Sequence, residues 1–380
     1  MIDIDLVFGL HLYQPPNQDR GILEKITRES YLPLIEAILF HNKAFFAVDI
    51  ARSAIEKLEE INIGKEFLEK FNEALELGKI SLVSTAGYHP ILPLIPEEEI
   101  IRQVKLNEEK LLQMFHKKQK PAGMFPPEMA LDAKTIKVLG EMGYRWSITD
   151  DVPFDVVYGS VPFNWIPKQD GIAVFLRSNF WSNRIAFNSI NGQDFVKNLE
   201  NDLISWFGNQ DGYLLLWMDW ETFGHHKKEF IENFINPFLN EISESKKIHL
   251  VSPEYLLGKY LQKEIEIPSG SWSTSAGDFR NGNYWPLWKN PNNQFHQLWW
   301  ELAETILETK KRIKDEEVLT VFDKALYSCQ TWQYSMGNRN LAIKGLEYFR
   351  EIASLKEVMS LNGKTSQINT IIDELEKLCQ

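Results

Sequence analysis

The sequence contains few cysteines and no long apolar run. Its 380 residues include two cysteines, Cys329 and Cys379, which are too few for a disulfide framework or a cysteine-based structural zinc site. The first ten residues contain aspartates and no basic residue, unlike a signal peptide. No later apolar run approaches the roughly 20 residues that cross a bilayer. We therefore expect a cytoplasmic protein without a membrane anchor.

Basic residues are also outnumbered. The chain carries 41 Lys and Arg against 53 Asp and Glu, a formal net charge of −12. Binding to nucleic acid or to an anionic membrane needs clustered positive charge, so neither partner is expected. The 44% of hydrophobic residues suffices for a large core. The length fits one large domain with an appendage, or two domains. The expected partner is a small or neutral molecule, and the oligomeric state is not predicted.

Short apolar runs alternate with helical patterns through the first two thirds of the chain. The runs begin at Leu6, Ala44, Ile80, Gly123, Tyr144, Ala173, Tyr213 and Ile248. This alternation is typical of right-handed βαβ units, in which polar residues at the carboxyl ends of the strands line one shared face. We predict an α/β barrel or a related closed sheet over residues 1–265. Residues 266–380 are predicted to form a polar loop and an all-helical region.

Carboxylates follow two of the predicted strands. The run from Tyr213 ends in Asp219 and Glu221, which share one side if the strand continues through both. Such an Asp also serves to cap a following helix. Glu128 follows two prolines, and its alternative role is a structural ion pair. Two carboxylates about 5 to 5.5 Å apart across a glycosidic bond would give a double displacement with retention. The sequence predicts the pair but not this distance.

Histidines and tryptophans are the other candidates. His11, His89 and His225 are unclustered, and no His-Glu-x-x-His motif occurs. We therefore expect these histidines to bind hydroxyl groups or to occupy core positions with satisfied hydrogen bonds, and we expect neither a metal nor a cofactor. The polar loop near residue 280 contains Trp272 and Trp288, whose flat rings suit pyranose faces. Anchoring of the loop on the helical region is the equal alternative.

Five segments, in this order along the chain, resemble the motif series of glycoside hydrolase family 57. They are His11–Pro16, Tyr88–Leu94, Gly123–Glu128, Arg177–Phe187 and Met218–Gly224. The resemblance implies an incomplete (β/α)7 barrel with a helical C-terminal region and a retaining mechanism without a metal. It implies that Glu128 is the nucleophile and Asp219 the acid/base. In the last motif, Thr331 stands where an acidic residue is common.

The resemblance also implies the substrate contacts and the substrate class. The expected contacts are His11, Gln14, His89, Trp220, Glu221, Trp272, Trp288 and Trp332. The expected activity is that of an α-amylase or a 4-α-glucanotransferase on an α-glucan or maltooligosaccharide. Alternatives within the family are a branching enzyme and an α-galactosidase. A catalytically silent glucan-binding protein and a metal-dependent polysaccharide deacetylase are the alternatives outside these activities.

Overall fold

Ten strands form one sheet in the computed structural model, which describes residues 3–116, 120–208 and 210–380. The strands are β1 (Ile4–Leu12), β2 (Phe46–Ile50), β3 (Ile80–Val83), β4 (Gly123–Met124), β5 (Trp146–Asp150), β6 (Trp165–Gln169), β7 (Ile172–Arg177), β8 (Gly212–Asp219), β9 (Ile248–Leu250) and β10 (Leu261–Glu264). Those at the centre of the sheet pair in parallel. The predicted run at Ile248 is confirmed as β9, whereas β6 and β10 were not predicted.

Seven parallel strands make a nearly closed barrel, in the order β4-β5-β7-β8-β1-β2-β3. A single bridge between Ser84 and Met124 joins the two ends of this order. The pairing of β7 with β8 is also reduced to one register pair, Arg177 with Leu215. The predicted incomplete barrel is confirmed. Strands β6, β9 and β10 lie outside the ring, with β6 antiparallel to β7.

Strand β8 is buried on both faces, which explains its unbroken apolar run. Tyr213, Leu215 and Trp217 belong to the cluster inside the barrel, and the alternate residues pack on the surrounding helices. On the neighbouring β1, a Cβ at Gly9 would lie 2.0 Å from the Trp217 ring. Gly9 therefore leaves space for the indole of Trp217, whose Nε1 donates to Asp49 beneath the cleft.

Helices cover the barrel and form the C-terminal region. Before β10 they are Arg20–Ile26, Thr27–Tyr31, Leu32–Phe40, Arg52–Glu59, Asn62–Glu76, Leu92–Leu94, Glu97–Phe115, Pro127–Met129, Ala133–Glu141, Asp151–Tyr158, Asn179–Phe187, Gly192–Phe207, Trp220–Thr222, Ile231–Ile235, Asn236–Glu244 and Pro253–Lys259. After β10 they are Ala276–Arg280, Gln294–Lys310, Glu316–Ala325, Cys329–Ser335, Arg339–Gly345, Glu347–Ser354, Lys356–Met359 and Lys364–Cys379. Within the predicted all-helical region, three short helices occupy residues 339–359. The helix Cys329–Ser335 was not predicted as a separate element.

The C-terminal helices share an apolar core with one side of the barrel. Phe295 and Trp299 belong to the same buried cluster as Met124 and Leu176. The domain boundary at residue 265 therefore stays a prediction, because residues on both sides of it pack in one cluster. In the part of the chain that is described, no helix combines the length and the apolar character needed to cross a membrane.

Candidate active site

A cleft of about 640 Å³ opens at the carboxyl ends of the barrel strands. Seven of the predicted site residues line it: His11, Gln14, Glu128, Asp219, Glu221, Trp272 and Trp332. His89 lies directly beneath it, in contact with His11. Trp220 and Trp288 are fully buried elsewhere. The fold therefore brings both predicted carboxylates to one cavity, whose size is within the range of ligand pockets.

Glu128 lies in a tight turn and not at a strand end as predicted. Strand β4 ends at Met124, and the turn Pro127–Met129 carries Glu128 with a φ of 60°. A non-glycine residue in this left-handed region is strained, and such strain is typical of functional positions. Trp272 Nε1 donates to one carboxylate oxygen at 2.9 Å, and Ser328 Oγ donates to the other at 3.1 Å. These two hydrogen bonds fix the orientation of the Glu128 carboxylate.

Several effects of opposite sign act on the ionisation of Glu128. Burial raises its pKa, and the charge of Asp219 adds to the rise, whereas the charge of His11 and the hydrogen bonds from Trp272 and Ser328 lower it. The resulting pKa is about 7. The charge of Asp219 therefore acts directly on the ionisation of Glu128.

Asp219 is the last residue of β8 and is partly exposed to the cleft. Among the described residues its carboxylate has no hydrogen-bond partner, and it does not cap the turn that follows. The prediction that Glu221 shares its side through strand alternation is wrong, because Trp220–Thr222 is a 3-10 turn. Both side chains nevertheless reach the cleft.

Glu221 lies deeper than Asp219. Its Oε1 accepts from Gln14 Nε2 at 2.6 Å and from the hydroxyl of Tyr31. Burial and the charge of Asp219 raise its pKa to about 7. Since Gln14 and Tyr31 hold it, Glu221 is placed to shape one wall of the cleft.

Two of the three candidate histidines, His11 and His89, are buried, and each of their ring nitrogens already has a partner, whereas His225 is partly exposed and lines the cleft. His11 Nδ1 lies 2.6 Å from Asp49 Oδ2, and its Nε2 lies 3.1 Å from His89 Nε2. The remaining nitrogen of His89 lies 2.9 Å from Ser328 Oγ. Tyr13 covers the ring of His89 at a centroid distance of 3.9 Å. The predicted role of His89 as a direct sugar ligand does not fit this placement, because the ring is 0% exposed.

Of the predicted aromatic contacts, only Trp272 and Trp332 reach the cleft. Trp288 packs against Ile91 and Ala130, and its carbonyl accepts from another indole. The prediction of a sugar platform there is wrong, and the alternative of a loop anchor fits the structure. Trp220 is likewise a core residue, since its ring contacts Phe67 and Phe71.

Sequence reasoning missed the residues that support the site. Ser328, which contacts Glu128, lies three positions before Thr331, and Thr331 is buried with its hydroxyl on the Ser328 carbonyl. The substitution noted in the last motif therefore does not face the cleft. Arg177 donates to the carbonyl of Trp217 at 2.7 Å, and its guanidinium lies 5.8 Å from the Trp272 ring. Arg177 opens the fourth motif segment, and this position could have identified it as a site residue from the sequence.

Three comparisons place the chain among known proteins. A family model described as glycosyl hydrolase family 57 matches residues 9–268. Alpha-amylase 1 of Dictyoglomus thermophilum is 25% identical over 305 residues, which cover 76% of this chain and 42% of the amylase. The chain thus spans less than half the length of this curated relative.

Solved structures share the fold at low sequence identity. A family 57 branching enzyme from Pyrococcus horikoshii superposes with a TM-score of 0.76 at 16% identity, over 99% of this chain and 94% of that one. A 4-alpha-glucanotransferase from Thermococcus litoralis gives a TM-score of 0.71 at 18% identity, over 92% of this chain and 60% of that one. Both similarities concern the barrel and its helical extension.

Proposed function

The chain belongs to glycosyl hydrolase family 57, and from this we propose that it acts on α-linked glucans by a retaining double displacement. The observation that supports the proposal most is the meeting of Glu128 and Asp219 in one cleft. The reaction is that of an α-amylase or of a 4-α-glucanotransferase, which differ in whether water or a sugar hydroxyl completes it. The cytoplasm remains the predicted compartment.

In the first step, the Glu128 carboxylate attacks the anomeric carbon and forms an ester to the sugar. The departing glycosidic oxygen takes a proton from Asp219 as its bond breaks. In the second step, the Asp219 carboxylate removes a proton from the incoming hydroxyl group, which attacks the same carbon and releases Glu128. Two donors fix Glu128, as a nucleophile requires, whereas a partly exposed carboxyl group exchanges protons with the bound substrate more easily.

Incubation with maltooligosaccharides of defined length tests the proposal. Longer and shorter products together indicate transfer, and shorter products alone indicate hydrolysis. Proton NMR of the first product should show the α-anomer, because two displacements retain the configuration. A β-anomer as the first product would contradict the proposed mechanism. Unchanged maltooligosaccharides would favour a silent glucan-binding protein.

A chelator separates the proposal from metal-dependent deacetylation. The proposed steps use carboxyl groups alone, and the ring nitrogens of His11 and His89 are occupied by protein partners. Activity on maltooligosaccharides should therefore survive EDTA and dialysis. Loss of activity with EDTA and recovery with zinc would contradict the proposal.

A further inference from the structure

Beneath the cleft, a row of buried hydrogen bonds connects Glu128 to a second acidic residue. Glu128 Oε1 lies 3.1 Å from Ser328 Oγ, which lies 2.9 Å from His89 Nδ1. His89 Nε2 lies 3.1 Å from His11 Nε2, and His11 Nδ1 lies 2.6 Å from Asp49 Oδ2. All but Glu128 are nine-tenths buried or more. The double displacement described above assigns no role to this row.

The Asp49 end of the row fixes a positive charge on His11. Asp49 Oδ1 accepts from Trp217 Nε1 at 3.2 Å, and Asp49 Oδ2 lies 2.6 Å from His11 Nδ1. Burial raises the pKa of Asp49, but the charge of His11 and the hydrogen bonds with His11 and Trp217 oppose this rise and favour the carboxylate beside a protonated His11. Burial alone would lower the pKa of His11, but the charge and hydrogen bond of Asp49, with smaller contributions from Asp219 and Glu128, raise it to about 9. His11 is therefore protonated on both nitrogens near neutral pH.

This protonation sets the direction of every other hydrogen bond in the row. Because His11 Nε2 carries a proton, the facing Nε2 of His89 accepts, and the single proton of neutral His89 lies on Nδ1. Burial and the charge of His11 keep the pKa of His89 well below its usual value, so it remains neutral. His89 Nδ1 then donates to Ser328, and the Ser328 hydroxyl donates to Glu128.

With Asp49 ionised, the row has a second consistent setting, in which every proton between His11 and Glu128 has moved by one place. In it Glu128 is protonated and donates to Ser328, Ser328 donates to His89 Nδ1, and His89 Nε2 donates to neutral His11. The two settings differ by three O–H or N–H bonds broken and three formed. No proton enters or leaves the protein between them.

We propose that Ser328 and His89 form a proton wire through which Glu128 ionises by passing its proton to His11, where Asp49 pairs the charge. The wire favours the ionised form of Glu128, because the proton that leaves this carboxyl group is held on His11 beside Asp49. It thereby opposes the burial that favours a protonated Glu128. Ser328 and His89 are positioning residues, since they act through Glu128. The inference rests on the proposed function only for what the ionised carboxylate then does to a sugar.

Other ionisable groups also face the wire. Tyr13 stacks on His89, and Cys329 lies 3.6 Å from the Tyr13 hydroxyl. Burial raises the pKa of both, that of Cys329 to about 12, so both stay neutral over the working range. Asp219 is the remaining charged group that acts on His11 besides Glu128 and Asp49. None of these groups blocks the proton shift between the two settings.

Nitrogen-15 NMR of histidine-labelled, substrate-free protein tests the wire directly. At pH 7 we expect His89 as the Nδ1–H tautomer and His11 doubly protonated, with signals assigned by their loss in His89→Gln and His11→Gln proteins. In Asp49→Asn the positive charge loses its partner, and His89 should switch to the Nε2–H tautomer. An Nε2–H tautomer of His89 in the wild type, or an Nδ1–H tautomer that persists in Asp49→Asn, would overturn the wire. This readout needs no substrate and is independent of the proposed function.

Kinetics give a second test through the acidic limb of kcat/KM against pH. Ser328→Ala should raise the midpoint of that limb by about one pH unit, because the carboxylate loses a charge-assisted hydrogen bond. Ser328→Thr keeps the hydroxyl and should restore the midpoint. Thr331→Ala removes a buried hydroxyl from the same helix and should leave the midpoint in place. Equal midpoints in the Ala and Thr proteins at position 328 would overturn the role of Ser328.

Discussion

Glu128 and Asp219 line the same cleft, yet the protein holds them differently. Glu128 is 13% exposed at its side chain, lies in a strained turn and receives one hydrogen bond on each oxygen. Asp219 ends a regular strand, is partly exposed and has no hydrogen-bond partner among the described residues. A group that forms a bond to carbon must be fixed in position, whereas a group that shuttles a proton must change its charge freely. The contrast matches the two roles proposed for them.

Removing Glu128, the proposed nucleophile, should have the largest effect. Glu128→Gln should lower turnover of maltooligosaccharides and of aryl glycosides alike by about 10⁴-fold or more, because attack is needed whatever group departs. Glu221→Gln is the matched control, since Glu221 is a buried cleft carboxyl with a similarly raised pKa. We expect it to lose less than about 10²-fold. Equal losses of turnover in the two proteins would contradict the proposal that Glu128 attacks the sugar while Glu221 only shapes the cleft.

Removing the acid/base should separate substrates by their leaving groups. Asp219→Asn should lose about 10²- to 10⁴-fold on maltooligosaccharides. An aryl glycoside with an acidic phenol needs no proton to depart, so it should still form the ester to Glu128. The second step then lacks its base, and rapid-mixing kinetics should show a burst of phenol followed by a slow phase.

Mass spectrometry of the trapped Asp219→Asn protein should locate the sugar on the peptide that contains Glu128. An adduct on the peptide containing residue 219 of the Glu128→Gln protein, together with a burst there, would show that the two roles are inverted. In that case the carboxylate that the protein holds by two hydrogen bonds, Glu128, would not be the one that attacks the sugar.

Burial of the Glu128 carboxylate should lower the free energy of unfolding at high pH. The folded-state pKa of Glu128, about 7, lies above its usual value of 4.5. The folded protein therefore holds this proton more tightly than the unfolded chain does. Glu128 then contributes stability that is fully present below pH 4.5 and is lost as the pH rises to 7. Glu128→Gln should be more stable than wild type at pH 8, by at most about 3 kcal/mol.

Denaturant titrations at pH 4.5 and pH 8 measure this effect, and the gain at pH 8 should largely vanish at pH 4.5. The glutamine amide retains one of the two hydrogen bonds, so the gain at pH 8 should fall short of the full value. A gain of the same size at both pH values would mean that relief of packing, and not of charge, is responsible.

The sequence predicted the barrel because its signals are local. Apolar runs such as Tyr213–Met218 and the polar residues that follow them are visible without tertiary information. The carboxylates Glu128 and Asp219 were visible for the same reason. Their surroundings were not. Ser328 lies 200 positions from Glu128, and no local pattern distinguishes it from any other serine.

The errors at Trp288 and Glu221 have equally physical causes. A polar segment predicts that its tryptophans are exposed. Trp288 is nevertheless buried against Ile91 and Ala130, which are distant in the sequence. Strand alternation was extended to Glu221, although the chain turns directly after Asp219. Composition identifies which residues are able to bind a sugar, and tertiary contacts decide which of them reach the cleft.

The smallest expected effect concerns the other hydrogen bond to Glu128. Trp272→Phe keeps an aromatic ring near Arg177 but removes the Nε1 donor to Oε2. Loss of this bond should raise the pKa of Glu128 further, by up to about one unit. The ionised fraction at pH 6 would then fall about tenfold, while at pH 9 it would hardly change.

The measurement is kcat/KM at the two pH values, with Trp332→Phe as the control. Trp332 also lines the cleft, but no hydrogen bond connects it to Glu128 among the described residues. Trp332→Phe should therefore change kcat/KM by the same factor at pH 6 and pH 9. The same pattern in Trp272→Phe would mean that the indole acts only as a surface for the sugar. A loss confined to low pH would show that Trp272, like Ser328, keeps Glu128 ionised, whereas no such hydrogen bond reaches Asp219 from the described residues.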